Sequence, residues 1–285
     1  MPNILFIRLI LFLLSALFFV GIPSGAHAKQ FSHLTVIQDN AYRPYSYLDE
    51  NNEPQGYLID FWDHFGKVNG VEISFKLGTW QQGLDKIQNG EGDIHGGLFY
   101  SEERDAFLDF GNAICSLSTI LYISNTATME EAATCPVGVV KGGYTEYFMR
   151  TTRPTRTAYT YPSLDQTVQA AANGELLAFL ADQPTAFYAM SRYGIQDTFT
   201  AGERLYTKSL QVAVKNGNKE LLDFITQGWR KMDRQHLNYI HKKWFMDAET
   251  GPDWLLTTTL IGAILVFFGI AISLFHHHSD YFNRN

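Results

Sequence analysis

Apolar positions along the middle of the chain switch between a period of two and a helical period. Leu34-Thr35-Val36-Ile37 predicts a buried strand. Tyr57–Val68 places Leu58, Phe61, Trp62, Phe65 and Val68 at helical spacing, which predicts a helix lying on a sheet. Val71–Lys76 alternates like a strand. Trp80, Leu84 and Ile87 share one face of a short helix that Asn89-Gly90 ends. With Ile94–Phe99 as the next strand, this is a βαβαβ unit.

A second unit follows. Strands are predicted at Pro136–Val140, Thr157–Tyr161 and Leu176–Ala181. Helices are predicted from Thr145, from Ser163 (with Gln166 three residues on, a capping-box start) and over Pro184–Tyr193, where proline takes the first turn. Leu210–Val214 predicts one more strand, and Lys219–Phe245 a single helix. Two α/β units joined through Ser118–Ser124 and again near Lys208–Val214 predict two lobes and two crossover strands. Ligands of open α/β sheets sit outside the carboxyl ends of strands, so the expected site is the cleft between lobes.

Both ends break this pattern. Leu9–Ile22 is an apolar run behind the lone Arg8, followed by Pro23-Ser24-Gly25 and Ala26-His27-Ala28. That is the pattern of a secretory signal peptide over residues 1–28. Trp254–Phe275 has no charged residue over 22 positions, ~33 Å as a helix, which predicts a transmembrane span. A short cytoplasmic tail, 276–285, follows; His276-His277-His278 is read as headgroup contacts, since adjacent helical residues point apart. Lobe 1 is assigned to 29–117 and 208–250 and lobe 2 to 118–207.

Composition sharpens this organisation. The 285 residues carry a formal charge of −7, and charged residues make up only 18%. Loss of Arg8 with the leader makes the mature charge −8. No basic stripe is present, which disfavours nucleic acid as a partner. Cys115 and Cys135 fall in the exported part, where a disulfide is permitted, and their spacing matches no metal motif. Neither a cofactor nor a metal is expected.

Several short motifs stand in order. They are Val36–Tyr45, Glu53-Pro54-Gln55-Gly56-Tyr57, Gly92-Asp93-Ile94-His95-Gly96-Gly97-Leu98 with Glu103-Arg104, Val137–Gly142, Ala181–Ala186 and Lys242-Lys243-Trp244-Phe245. Over about His33–Met246 the chain resembles the family 3 periplasmic solute-binding proteins of the polar amino-acid binding type. Gly96–Arg104 looks most like the sensory versions found in membrane-bound diguanylate cyclases and sensor kinases. The resemblance implies an α/β, bilobed type II periplasmic binding fold with two hinge strands, here with one C-terminal transmembrane helix.

It also implies a ligand-binding set: Asp39, Tyr42, Trp80, Gly97, Phe99, Arg104, Gly143, Tyr144, Thr145 and Asp182. Arginine grips a carboxylate through two parallel bonds, and the family uses the residue matching Arg104 for the ligand α-carboxylate. The plainer alternative pairs Arg104 with Glu102 or Glu103 at the surface. Asp182 matches the family's acceptor of the α-ammonium; the alternative is a helix cap. Tyr42 matches the aromatic that stacks on the ligand, and Asp39 a specificity position favouring a cationic group. Gly143, Tyr144 and Thr145 sit where backbone amides at a helix start suit a carboxylate. Trp80 is read as half core, half wall. Phe99, Gly143 and Tyr144 depart from the family, standing where small hydroxyl residues are common.

The expected function is a membrane-anchored binding module that closes on an amino acid or related carboxylate, for sensing or uptake, without enzymatic activity. A single anchor favours sensing, and the short tail leaves two expectations: signalling through a membrane signalling or transporter partner, or the absence here of an output domain found in relatives. The alternative is an exported enzyme resembling the periplasmic dehydratases of this scaffold, with His95, Glu102 and Glu103 as acid or base groups.

Overall fold

The computed structural model describes residues 31–245, with Gly262, Phe267 and Phe268 beyond them. The expected leader lies outside the described residues, as do the tail and all but those three positions of the expected span. Among the described residues no helix is long and apolar enough to cross a membrane. The chain divides at His33, and the residues from His33 onward carry the fold.

The strands are β1 (His33–Asp39), β2 (Ala41–Tyr42), β3 (Ser46–Leu48), β4 (Pro54–Gln55), β5 (Glu72–Gly78), β6 (Ile94–Phe99), β7 (Leu108–Ser124), β8 (Val137–Val140), β9 (Ala158–Tyr161), β10 (Ala178–Asp182) and β11 (Phe199–Lys215). The helices are α1 (Tyr57–Asn69), α2 (Trp80–Asn89), α3 (Glu102–Asp105), α4 (Met129–Thr134), α5 (Tyr144–Thr152), α6 (Leu164–Ala172), α7 (Gln183–Tyr193), α8 (Lys219–Trp229) and α9 (Arg234–Phe245). The main sheet runs β5-β1-β6-β11-β7-β10-β8-β9, and β2-β3-β4 forms a small antiparallel sheet beside it. The β5-β1-β6 half is parallel and anchors the first lobe. The β10-β8-β9 half is parallel and anchors the second.

Between them β7 and β11 pair antiparallel from Phe199 against Ser124 to Lys215 against Leu108. Each is a continuous strand of 17 residues, not the short crossovers expected at 118–124 and 208–214. The extra length leaves no alternating pattern because much of this ribbon faces water. Its cross-strand pairs there are hydroxyls, Ser116 with Ser209 at 3.3 Å and Ser118 with Thr207 at 2.8 Å.

Two further expectations are corrected. Lys219–Phe245 is two helices: turns at Lys231 and Met232 end α8, and the Asp233 carboxylate accepts from the His236 amide at 2.7 Å to start α9. Ser163 caps α6 by accepting from the Gln166 amide, but the reciprocal boxes form at Thr79/Gln82 and Thr128/Glu131.

Helix α1 explains how the first lobe is held. It buries Leu58, Phe61, Trp62 and Phe65, and Trp62 Nε1 donates to the Gly96 carbonyl at 2.8 Å. Full burial of such side chains contributes ~1.5–3 kcal/mol each. Gly56 opens the helix with φ 130°, where a Cβ would strike the Tyr45 carbonyl. Helix α9 docks on α1 through Asp60, which accepts from Lys243 Nζ and Trp244 Nε1, both at 2.7 Å. Cys115 on β7 and Cys135 after α4 are both free thiols.

Candidate functional site

A cavity of about 70 Å³ opens between the lobes, lined from both. Its first-lobe wall includes Asp39, Tyr42, Trp80, Phe99 and Arg104; its second-lobe wall includes Gly143, Tyr144, Thr145 and Asp182. These are sequence-predicted residues, and the tertiary structure brings them together. Gly97 is the exception, and that expectation is corrected. It does not line the cavity: a Cβ there would lie 3.1 Å from both Leu58 and Leu210, so the glycine serves close packing between β6, α1 and β11.

Arg104 comes from α3, whose start is capped by Ser101 Oγ accepting from the Arg104 amide. The side chain is only 5% exposed. Nη1 donates to the Phe99 carbonyl at 2.6 Å and Nη2 to the Gly142 carbonyl at 3.1 Å. Among the described residues no carboxylate lies within ion-pair distance of it; Glu103 instead pairs with Arg150 at 2.6 Å on the surface. The surface-pair alternative for Arg104 is therefore wrong. Burial lowers its pKa to about 10, so the guanidinium stays charged at neutral pH while solvation no longer satisfies it.

Asp182 ends β10 and stands at the N-cap position of α7, yet its side chain makes no capping bond. Its oxygens accept instead from Thr119 Oγ1 and from the Tyr42 hydroxyl, the latter at 2.6 Å and across the cleft. The cap alternative is thus also wrong. Burial raises the carboxyl's pKa, and the two hydroxyl donors oppose that rise. No cation of the described residues pairs with it.

The remaining residues close the walls. Trp80 Nε1 donates to the Gly142 carbonyl at 2.8 Å, a second tie between lobes, while its ring packs on His95 and under the Arg104 guanidinium. Gly142 has φ 69°, and a Cβ there would meet the Gln81 side chain, so this contact needs glycine. Helix α5 begins at Gly143 with no side-chain cap, which leaves its first amides at the cavity. Asp39 is buried, accepts from the Ala41 amide at 2.7 Å, and burial raises its carboxyl to about pKa 7.

Two functional neighbours escaped the sequence. Thr119 and Tyr206 lie opposite one another on β7 and β11, and Thr119 lies opposite Asp182 on β10. The three form a row across the sheet. The Tyr206 hydroxyl is buried beside Thr119. No local pattern marks either residue, because the row exists only through strand pairing.

The family model for bacterial extracellular solute-binding proteins, family 3, matches residues 34–247. The chain belongs to that family. The solute-binding chain is 24% identical over 225 residues to the L-cystine-binding protein TcyJ of Escherichia coli strain K12, covering 76% of this chain and 84% of that protein. Its fold is similar to a histidine kinase sensor domain that itself resembles periplasmic binding proteins, with TM-score 0.69, 19% identity and coverage of 76% and 97%. It is also similar to an ancestral arginine-binding protein bound to arginine, with TM-score 0.68, 21% identity and coverage of 76% and 100%. The bilobed α/β fold expected from the sequence is the one found.

The candidate acid and base groups of the enzyme alternative do not line the cavity of this solute-binding fold. His95 is buried beneath Trp80, where burial lowers its pKa to about 3 and keeps it neutral. Glu102 and Glu103 are exposed on α3.

Proposed function

We propose that the chain is an exported, membrane-tethered receptor that closes its two lobes on a zwitterion, an amino acid or closely related carboxylate, for sensing or uptake. One observation carries this: Arg104 and Asp182 line the same cavity from opposite lobes, both buried, and neither has an ionic partner among the described residues. A buried charge held only by neutral groups is under-compensated. A ligand carboxylate facing Arg104 and an ammonium facing Asp182 would compensate both at once. The relatives named for cystine and arginine support an amino acid. Differential contact with the closed form would couple ligand to a membrane partner, with the periplasmic domain held at the inner membrane by the helix over 254–275. No turnover is proposed, since His95, Glu102 and Glu103, the acid and base groups of the enzyme alternative, do not line the cavity.

The test is a thermal-shift screen of the full chain against the amino acids and small carboxylates. A ligand that binds only the folded state raises the melting temperature, by more at higher concentration. A screen in which no such compound shifts melting overturns the proposal.

A further inference from the structure

Two of the residues that depart from the family at the cleft, Phe99 and Tyr144, also limit its size. Phe99 from β6, Tyr144 from α5 and Tyr206 from β11 meet edge to face. Their ring centroids lie 5.7 Å apart for Phe99–Tyr144, 5.1 Å for Tyr144–Tyr206 and 6.4 Å for Phe99–Tyr206. Phe148 backs Tyr206 at 4.8 Å. One ring comes from each lobe and one from the ribbon between them, so the cluster fills space that small hydroxyl residues would leave open. The cavity cannot widen by parting the lobes without breaking the Trp80–Gly142, Arg104–Gly142 and Tyr42–Asp182 bonds.

What remains is about 70 Å³. A water needs ~10–15 Å³ by this measure, so the room suits roughly five to seven non-hydrogen atoms. The main chain of an amino acid, with its carboxylate and ammonium, already uses five. We propose that the cleft selects amino acids with short side chains, of about two non-hydrogen atoms or fewer, and rejects long ones such as arginine. This rests on the amino-acid reading above and adds the class of side chain. Asp39 on the same wall does not oppose it: its acidity is weakened by burial, so the site does not demand a second cation at neutral pH.

The experiment is isothermal titration of the full chain in detergent micelles with L-alanine, L-serine and L-arginine, for the wild type and for Tyr144→Ala. Tyr144 is half-buried at a helix start, and its truncation opens one side of the ring cluster. In the wild type, alanine or serine should bind at least ~30-fold more tightly than arginine, because a long side chain must force packed rings apart. In Tyr144→Ala that ratio should shrink by ~10-fold or more. Arginine binding the wild type as tightly as alanine or serine overturns the size limit while leaving the amino-acid reading intact. So does a folded Tyr144→Ala variant with an unchanged ratio; the wild-type ratio decides alone if the variant does not fold. Binding of none of the three overturns the selection, while the thermal-shift screen decides the amino-acid reading separately.

Discussion

The two lobes bring opposite charges to the cleft by one device, a buried strand whose carboxyl end turns into a helix, but they hold those charges differently. In the first lobe Arg104 follows β6 and is held by two backbone carbonyls, one of them from the other lobe. In the second, Asp182 ends β10 and is held by two hydroxyls, one of them from the other lobe. Each charge therefore ties the lobes while lacking an ion pair. The difference lies in what truncation leaves behind. Removing the guanidinium takes a donor from backbone carbonyls that cannot turn away, whereas neutralising the carboxylate leaves hydroxyls that can rotate to other partners. The arginine pole is the more rigid, and the aspartate pole the more tolerant.

The largest expected effect is on the rigid pole. Arg104→Ala should reduce amino-acid affinity by ~100-fold or more in calorimetry, since it removes a buried charge-assisted contact. It should also lower the melting temperature, because the buried Phe99 carbonyl loses its guanidinium donor at ~1–3 kcal/mol, while the Gly142 carbonyl keeps the Trp80 donor. An Arg104→Ala protein of undiminished affinity breaks the comparison at its root. Asp182→Asn should cost less, ~10–100-fold in affinity, and it should leave the ligand-free melting temperature equal or higher. Burial raises the Asp182 pKa, so its charged form opposes folding at neutral pH and neutralisation relieves that opposition. Equal destabilisation by the two substitutions would erase the distinction between poles.

A third expectation concerns pH. Asp39 has its pKa raised from 3.8 to about 7 in the folded chain, so folding takes up a proton between those values. Its contribution to stability is greatest below pH ~4 and is lost as pH rises through ~7. His95 works in the opposite sense, since its pKa falls to about 3. Comparing the melting temperature of the wild type with Asp39→Asn across pH 4–8 isolates Asp39. The variant should gain on the wild type as pH rises, and a constant difference would refute the assignment. The smallest effect is at the surface. Glu103→Gln breaks the exposed Arg150 pair and should change affinity by less than about threefold, because exposed ion pairs contribute little.

Much of the fold was legible from periodicity. The buried parallel strand at Leu34–Ile37, the amphipathic stripe of α1 and the glycine that ends α2 are local features, set by which faces of a segment avoid water. The helix break at Arg230–Asp233 was not legible, because the apolar spacing of Leu222, Ile225, Trp229 and Met232 continues through it. The lengths of β7 and β11 were not legible either, since their half-exposed stretches show no alternation of buried and exposed positions. At the site, Arg104 and Asp182 stood out by motif and position. Gly97 entered the set through the family resemblance, and its backbone position places it in packing instead.

The sequence by itself determined the alternation of strands and helices, the two-unit layout and the chemical types available at strand ends. Those follow from interactions between residues close along the chain. Only the tertiary structure decided which groups share a cavity and in what electrical state. The row Asp182–Thr119–Tyr206 is assembled by pairing β10, β7 and β11, whose members are separated by tens of residues. The ring cluster of Phe99, Tyr144 and Tyr206 joins three elements in the same way. Burial then weakens the acidity of Asp39 and leaves Arg104 and Asp182 with neutral partners alone among the described residues, because the energy of a charge depends on everything packed around it, near in the chain or not.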